Sequence, residues 1–108
     1  MKMEFIFDKE KMQNENYTEE ECFQLVRDHF EKYQKTSKTL KEVKPGVYEG
    51  EDEDWGVFAA TVKFLQNECF MATIKEWYWY VDEGDGNGEQ KENCLEIYYE
   101  MVQKGIKI

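Results

Sequence analysis

Residues 55–81 read WGVFAATVKFLQNECFMATIKEWYWYV, and the period of their apolar positions decides the fold. Phe58, Ala60, Val62 and Phe64 alternate along the first half, and Phe70, Ala72 and Ile74 along the second. A period of two predicts strands at Trp55–Gln66 and Cys69–Val81, joined by a hairpin at Gln66-Asn67-Glu68. Centring the turn on Asn67 pairs Phe64 with Phe70, Val62 with Ala72 and Ala60 with Ile74 on one apolar face, the expected core. Trp55 then pairs with Trp79, and Val57 with Trp77, on the opposite face. A slip of one residue would mix Lys75, Thr73 and Phe64 on a single face, so the pattern favours the first register.

Outward from this hairpin the period changes to that of a helix. Thr18 and Glu21 form a capping box, Tyr17 and Cys22 take the staple positions, and Cys22, Phe23, Val26, Phe30 and Tyr33 make one apolar stripe from Thr18 to Tyr33. A second helix is expected over Glu89–Lys104, with Asn87 as its cap, Cys94, Leu95, Tyr98, Met101 and Val102 as its stripe, and Gly105 as its stop. Val47-Tyr48-Glu49, after Pro45-Gly46, reads as a third strand with a pairing segment at Leu40–Val43. Met3–Asp8 reads as a further strand at an edge. The expected fold is α+β: an antiparallel sheet of three to five strands packed on one face by two helices, in the order helix, strands, helix. It forms a two-layer sandwich in a single domain spanning 1–108.

This order from Thr18 to Lys104 is similar to that of double-stranded-RNA-binding domains. Such domains hold phosphates with lysines at the start of their second helix. Here the corresponding stretch, Asp82-Glu83-Gly84-Asp85-Gly86-Asn87-Gly88-Glu89, has four acidic residues and no basic one. The resemblance therefore implies a shared element order with the usual ligand repelled.

Charge gives the sharpest functional signal. The 108 residues carry a net −10, which excludes general affinity for nucleic acid or anionic membrane. Residues 1–48 hold nine basic and ten acidic side chains, whereas residues 49–108 hold five and fourteen, so a net −9 lies in the second part. Glu49, Glu51, Asp52, Glu53 and Asp54 precede one expected strand; Asp82, Glu83, Asp85 and Glu89 follow the other. The hairpin would gather these nine carboxylates at one end of the sheet, beside Trp55, Trp77 and Trp79. Aromatic anchors within a charged rim are the pattern of an interface, and the complementary partner is a basic protein. The leading expectation is thus a small non-enzymatic binding protein, of inhibitor or immunity type, whose partner-binding residues are Trp55, Trp77, Trp79, Glu51, Asp52, Glu53, Asp54, Asp82, Glu83 and Asp85.

Two alternatives come from other features. Glu76, expected on the core face, could line a pocket between sheet and helices with Tyr78 and Tyr98, where burial would suit it to proton transfer in a small-molecule binder or enzyme. The aromatic face could equally pair two copies in a homodimer. No P-loop, Gly-x-Gly-x-x-Gly, nucleophile elbow or His-Glu-x-x-His motif is present, so no catalytic residue or cofactor is expected. His29 reads as a packed ring. Cys22, Cys69 and Cys94 have no Cys-x-x-Cys spacing, which points to thiols in the cytoplasm and no metal. Asp85, Asn87, Glu89 and Glu96 match oxygen positions of a calcium loop, but Gln90 stands where its sharp turn needs glycine. No apolar run is long enough for a membrane span or, at Met1–Asp8, for a signal peptide.

Overall fold

The computed structural model describes residues 1–61, 68–82, 86 and 88–105. Strand β1 (Lys2–Phe7) is followed by α1 (Lys9–Asn14), α2 (Glu19–Gln34), β2 (Lys41–Lys44) and β3 (Val47–Glu49). A 3-10 turn (Asp52–Asp54) leads into α3 (Trp55–Thr61); after it come α4 (Glu68–Thr73), β4 (Ile74–Asp82), β5 (Glu89–Asn93) and α5 (Cys94–Gln103). The five strands form one antiparallel sheet in the order β2-β3-β1-β4-β5. Helices α2 to α5 pack on one of its faces, and α1 packs against α4. The chain is one compact α+β globule, richer in helix than expected.

The capping box starts α2 as its sequence dictates. Glu21 N–H donates to Thr18 Oγ1 at 3.1 Å, while Thr18 N–H donates to Glu21 Oε1 at 3.0 Å. Cys22, Val26 and Phe30 form its buried stripe. The β2–β3 pairing is also as read, through the Pro45-Gly46 turn. Gly46 has φ +80°, and a Cβ there would lie 2.7 Å from Phe5 O, so only glycine lets this turn approach β1.

Four expectations are corrected. Trp55–Thr61 is a helix, and Cys69–Thr73 belongs to another; Glu68 begins α4 instead of closing a hairpin, while residues 62–67 lie outside the described part of the chain. Asp54, Phe58 and Thr61 are buried at spacings of four and three, the helical period that Phe58 and Ala60 had disguised as alternation. β4 therefore pairs with β1 and β5, and no Trp55–Trp79 or Val57–Trp77 strand pair exists.

The inward face of β4 is accordingly reversed. Trp77, Trp79 and Val81 point into the core, with Trp77 fully buried, whereas Glu76, Tyr78 and Tyr80 lie on the opposite face. Phe5 stacks on Trp77 at 5.4 Å, Phe70 meets its edge at 5.6 Å, and Phe30 stacks on Tyr48 at 4.1 Å. β1 is central, not marginal: Met3 and Phe5 are buried, and the strand is hydrogen-bonded on both sides. Finally, Glu89–Asn93 forms β5, so the last helix starts at Cys94, capped by Asn93 Oδ1 accepting from Glu96 N–H at 3.2 Å. The double-stranded-RNA-binding order is thus not followed, because β1 sits mid-sheet and α3 and α4 interrupt the strands. Asn87 as cap and the tail Ile106–Ile108 fall outside the described residues.

Candidate functional site

The acidic segment after β3 is shaped by one buried carboxylate. Asp54 accepts from Ser37 Oγ at 2.6 Å, from Thr39 Oγ1 at 2.5 Å and from Glu51 N–H at 3.0 Å. The last bond, with Asp54 N–H donating to Glu51 O at 2.8 Å, closes the 3-10 turn on itself. Burial opposes the charge, but these three donors together outweigh it and hold the Asp54 carboxyl below its ordinary range. Gly50 is required beside it, since a Cβ would stand 2.5 Å from Asp54 Oδ2. Asp54 is therefore a structural clamp between the α2–β2 loop and the turn, and is withdrawn from the expected partner-binding set because it is inaccessible.

With Asp54 turned in, its neighbours turn out. Glu51, Asp52 and Glu53 are exposed, Glu53 placing an oxygen 2.8 Å from Thr39 Oγ1. Trp55, the first residue of α3, is 54% exposed, an unusual placement for an indole in so small a domain. Its ring lies 5.8 Å from that of Trp79, with the planes tilted by 49°. Trp79 in turn stacks on Phe58, which anchors this wall to the core.

A cleft of about 480 Å³ opens beside the pair, lined by Trp55, Trp79, Val81, Asp82, Glu92 and Ile97. Asp82 ends β4 and is exposed; Glu92 faces Trp79 across the β4–β5 ladder. The structure thus brings Trp55, Trp79 and Asp82 together beside Glu51, Asp52 and Glu53, although by a helix packing on the sheet and not by a hairpin. Trp77 is removed from the surface, and Glu83 and Asp85 lie outside the described residues. Glu92 enters the cleft through the β4–β5 pairing, which a helix over Glu89–Lys104 does not provide, while Val81 and Ile97 reach it from β4 and α5.

The pocket expected around Glu76 does not form. Glu76 and Tyr78 share the open face of the sheet, where Tyr78 Oη donates to Glu76 Oε1 at 2.8 Å and Lys91 Nζ sits 3.9 Å from the Tyr78 ring centroid. That carboxylate partner raises the Tyr78 hydroxyl above its ordinary pKa. Tyr98 instead packs against the hydrophobic core.

Two of the three thiols, Cys22 and Cys94, are accounted for by packing. Burial pushes the Cys94 thiol up to about 12 and raises Cys22 as well, so neither is a ready thiolate. Glu89 and Gln90 lie in β5, not in a calcium loop. Among the described residues no three His, Cys, Asp or Glu side chains gather as metal ligands would, and no helix is long and apolar enough to cross a membrane.

His29 makes a pH-dependent contribution. Thr61 Oγ1 donates to Val57 O at 2.8 Å, so His29 Nε2, at 3.0 Å, donates to Thr61 Oγ1. Burial, aided by the charge of Lys32, lowers its pKa from 6.5 to about 4. A folded-state value below the unfolded one means stability that is complete above pH 6.5 and drains as pH falls towards 4. Between pH 6.5 and 5 the loss is expected to be about 1 kcal/mol, after discounting for the ring's partial exposure. Urea denaturation at both pH values reads it. His29→Gln should remove the loss, and an unchanged loss in the variant would assign it elsewhere.

No family model, curated protein or solved structure matches the chain.

Proposed function

We propose that the protein is a small acidic binding module that engages a basic protein partner through the end of the sheet holding Trp55. The observation that carries this reading is the half-exposed Trp55 indole, seated against Trp79 directly after an exposed Glu51-Asp52-Glu53 turn and beside a cleft lined by Glu92 and the strand end at Asp82. An anchored aromatic supplies desolvation energy at an interface centre, and surrounding charge steers encounter and selects the partner. Neutralisation of that partner's basic surface is the corresponding activity, of inhibitor or immunity type. The net −10 of the chain opposes direct contact with nucleic acid phosphates and anionic membranes alike. In this reading the protein acts in the cytoplasm, where its cysteines stay as free thiols.

A short unstructured peptide rich in arginine and lysine serves as the probe. The combined change Glu51→Gln, Asp52→Asn and Glu53→Gln should slow its association about tenfold at low salt and flatten the dependence of the on-rate on ionic strength. Trp55→Ala should act mainly on the off-rate. Stopped-flow fluorescence separates the two, and unchanged on-rates in the neutralised variant would refute the role of the turn.

A further inference from the structure

We infer that the cleft beside Trp55 receives a single arginine side chain of the basic partner. This inference rests on the proposed partner-binding role of the acidic end and specifies what that end recognises. The cleft has two unlike parts. Trp55, Trp79, Val81 and Ile97 supply aromatic and aliphatic walls, while Glu92, in register with Trp79 and so on the same face of the sheet, supplies a carboxylate beside the strand end at Asp82. A ligand matching both parts must have an apolar stem and a cationic head, as long basic side chains do.

Charge and shape together select arginine within that class. The two indoles are in tilted contact, their centroids 5.8 Å apart and their planes inclined at 49°, and the exposed Trp55 ring leaves aromatic surface open to a ligand. A planar guanidinium stacks on an indole face and still presents its N–H fork to a carboxylate, whereas an ammonium is a compact, strongly hydrated point charge. Partnering carboxylates favour the bidentate geometry that only the guanidinium offers. The volume of about 480 Å³ exceeds one side chain, leaving space for the flanking backbone of the partner segment. A phosphate-bearing ligand of the same size meets Glu92 and is repelled.

Two peptides of equal charge test this: one with a central arginine in a lysine frame, the other with lysine at the centre. Isothermal titration at low salt should show the arginine peptide binding about fivefold to tenfold more tightly. Trp55→Ala and Glu92→Gln, neither at a buried position, should each abolish that preference while circular dichroism shows the fold retained. The neutralised turn variant should weaken both peptides and keep the preference. Equal affinity of the two peptides for the wild-type protein, or a preference that survives Trp55→Ala and Glu92→Gln, would overturn the arginine site while leaving the broader binding role standing. Failure of both peptides to bind would refute the arginine site and the broader binding role together.

Discussion

Trp77→Ala is expected to destabilise the protein by about 3–5 kcal/mol, the cost of emptying a fully packed aromatic site. Its ring is sealed between Phe5 and Phe70 and has no solvent exposure. Against a typical total of about 5–15 kcal/mol, the loss consumes a large part of the folding free energy. The same substitution at Trp55 should cost under about 1 kcal/mol, because half of that side chain already faces water. Urea unfolding of the two variants side by side measures the contrast. Similar losses at both positions would mean that Trp55 is a core residue and would remove the anchor from the proposed interface.

Asp54→Ala is the second large effect, expected at about 3 kcal/mol with a fall of roughly 15 °C in Tm. Three donors that converge on the carboxylate would lose their acceptor inside the protein, and such groups are expensive to leave unmade. Asp52→Asn, two residues away and exposed, should change Tm by less than about 2 °C. The sign with pH follows from the lowered carboxyl: its contribution is complete above the unfolded value of 3.8 and is lost as pH falls through the lower folded one. Acid unfolding should therefore show two stages, the first from His29 below pH 6.5 and a steeper one below about pH 4 in which Asp54 takes part. Differential scanning calorimetry across that range, with Asp54→Asn alongside, resolves them; equal acid sensitivity in Asp54→Asn and the wild type would remove Asp54 from the second stage.

Features written in short-range sequence were legible. The Thr18–Glu21 box, the stripe of α2, the β2–β3 turn and the five-strand upper limit of the sheet all follow from caps, glycine placement and local period. What misled was the junction at residues 69–74. Phe70, Ala72 and Ile74 alternate smoothly into β4 with no glycine or proline to mark where α4 ends, so helix and strand merge into one apparent run. Including 69–73 in the strand made the even positions look apolar and reversed the face. Taken alone, Ile74–Asp82 places Glu76 and Asp82 among the even positions and Trp77, Trp79 and Val81 opposite them, which is the observed arrangement. The tyrosines on the open face fit the same logic, since Tyr78 and Tyr80 can put hydroxyls in water, whereas Trp77 buries its indole N–H in the core.

The site was half legible for a related reason. Proximity of Trp55 to Trp79 and of both to acidic side chains was expected from a hairpin and is produced instead by α3 folding back onto the sheet. Asp54 was grouped with its acidic neighbours because charge alone does not distinguish an exposed carboxylate from one claimed by Ser37 and Thr39. The distinguishing contacts are with residues 15 and 17 positions away, beyond the reach of any local pattern. Glu92 and Ile97 required the β4–β5 register, which the polar stretch Glu89–Asn93 does not announce.

The most direct test follows the three indole N–H signals in a ¹H–¹⁵N correlation spectrum while the central-arginine peptide is added. The Trp55 signal should move progressively to saturation, Trp79 should follow to a smaller extent, and Trp77 should stay fixed, with backbone shifts concentrated at 51–55 and around Asp82. Saturable binding with an unmoved Trp55 signal, and shifts centred on Tyr78 and Tyr80 across the open face, would contradict the assignment of the binding end.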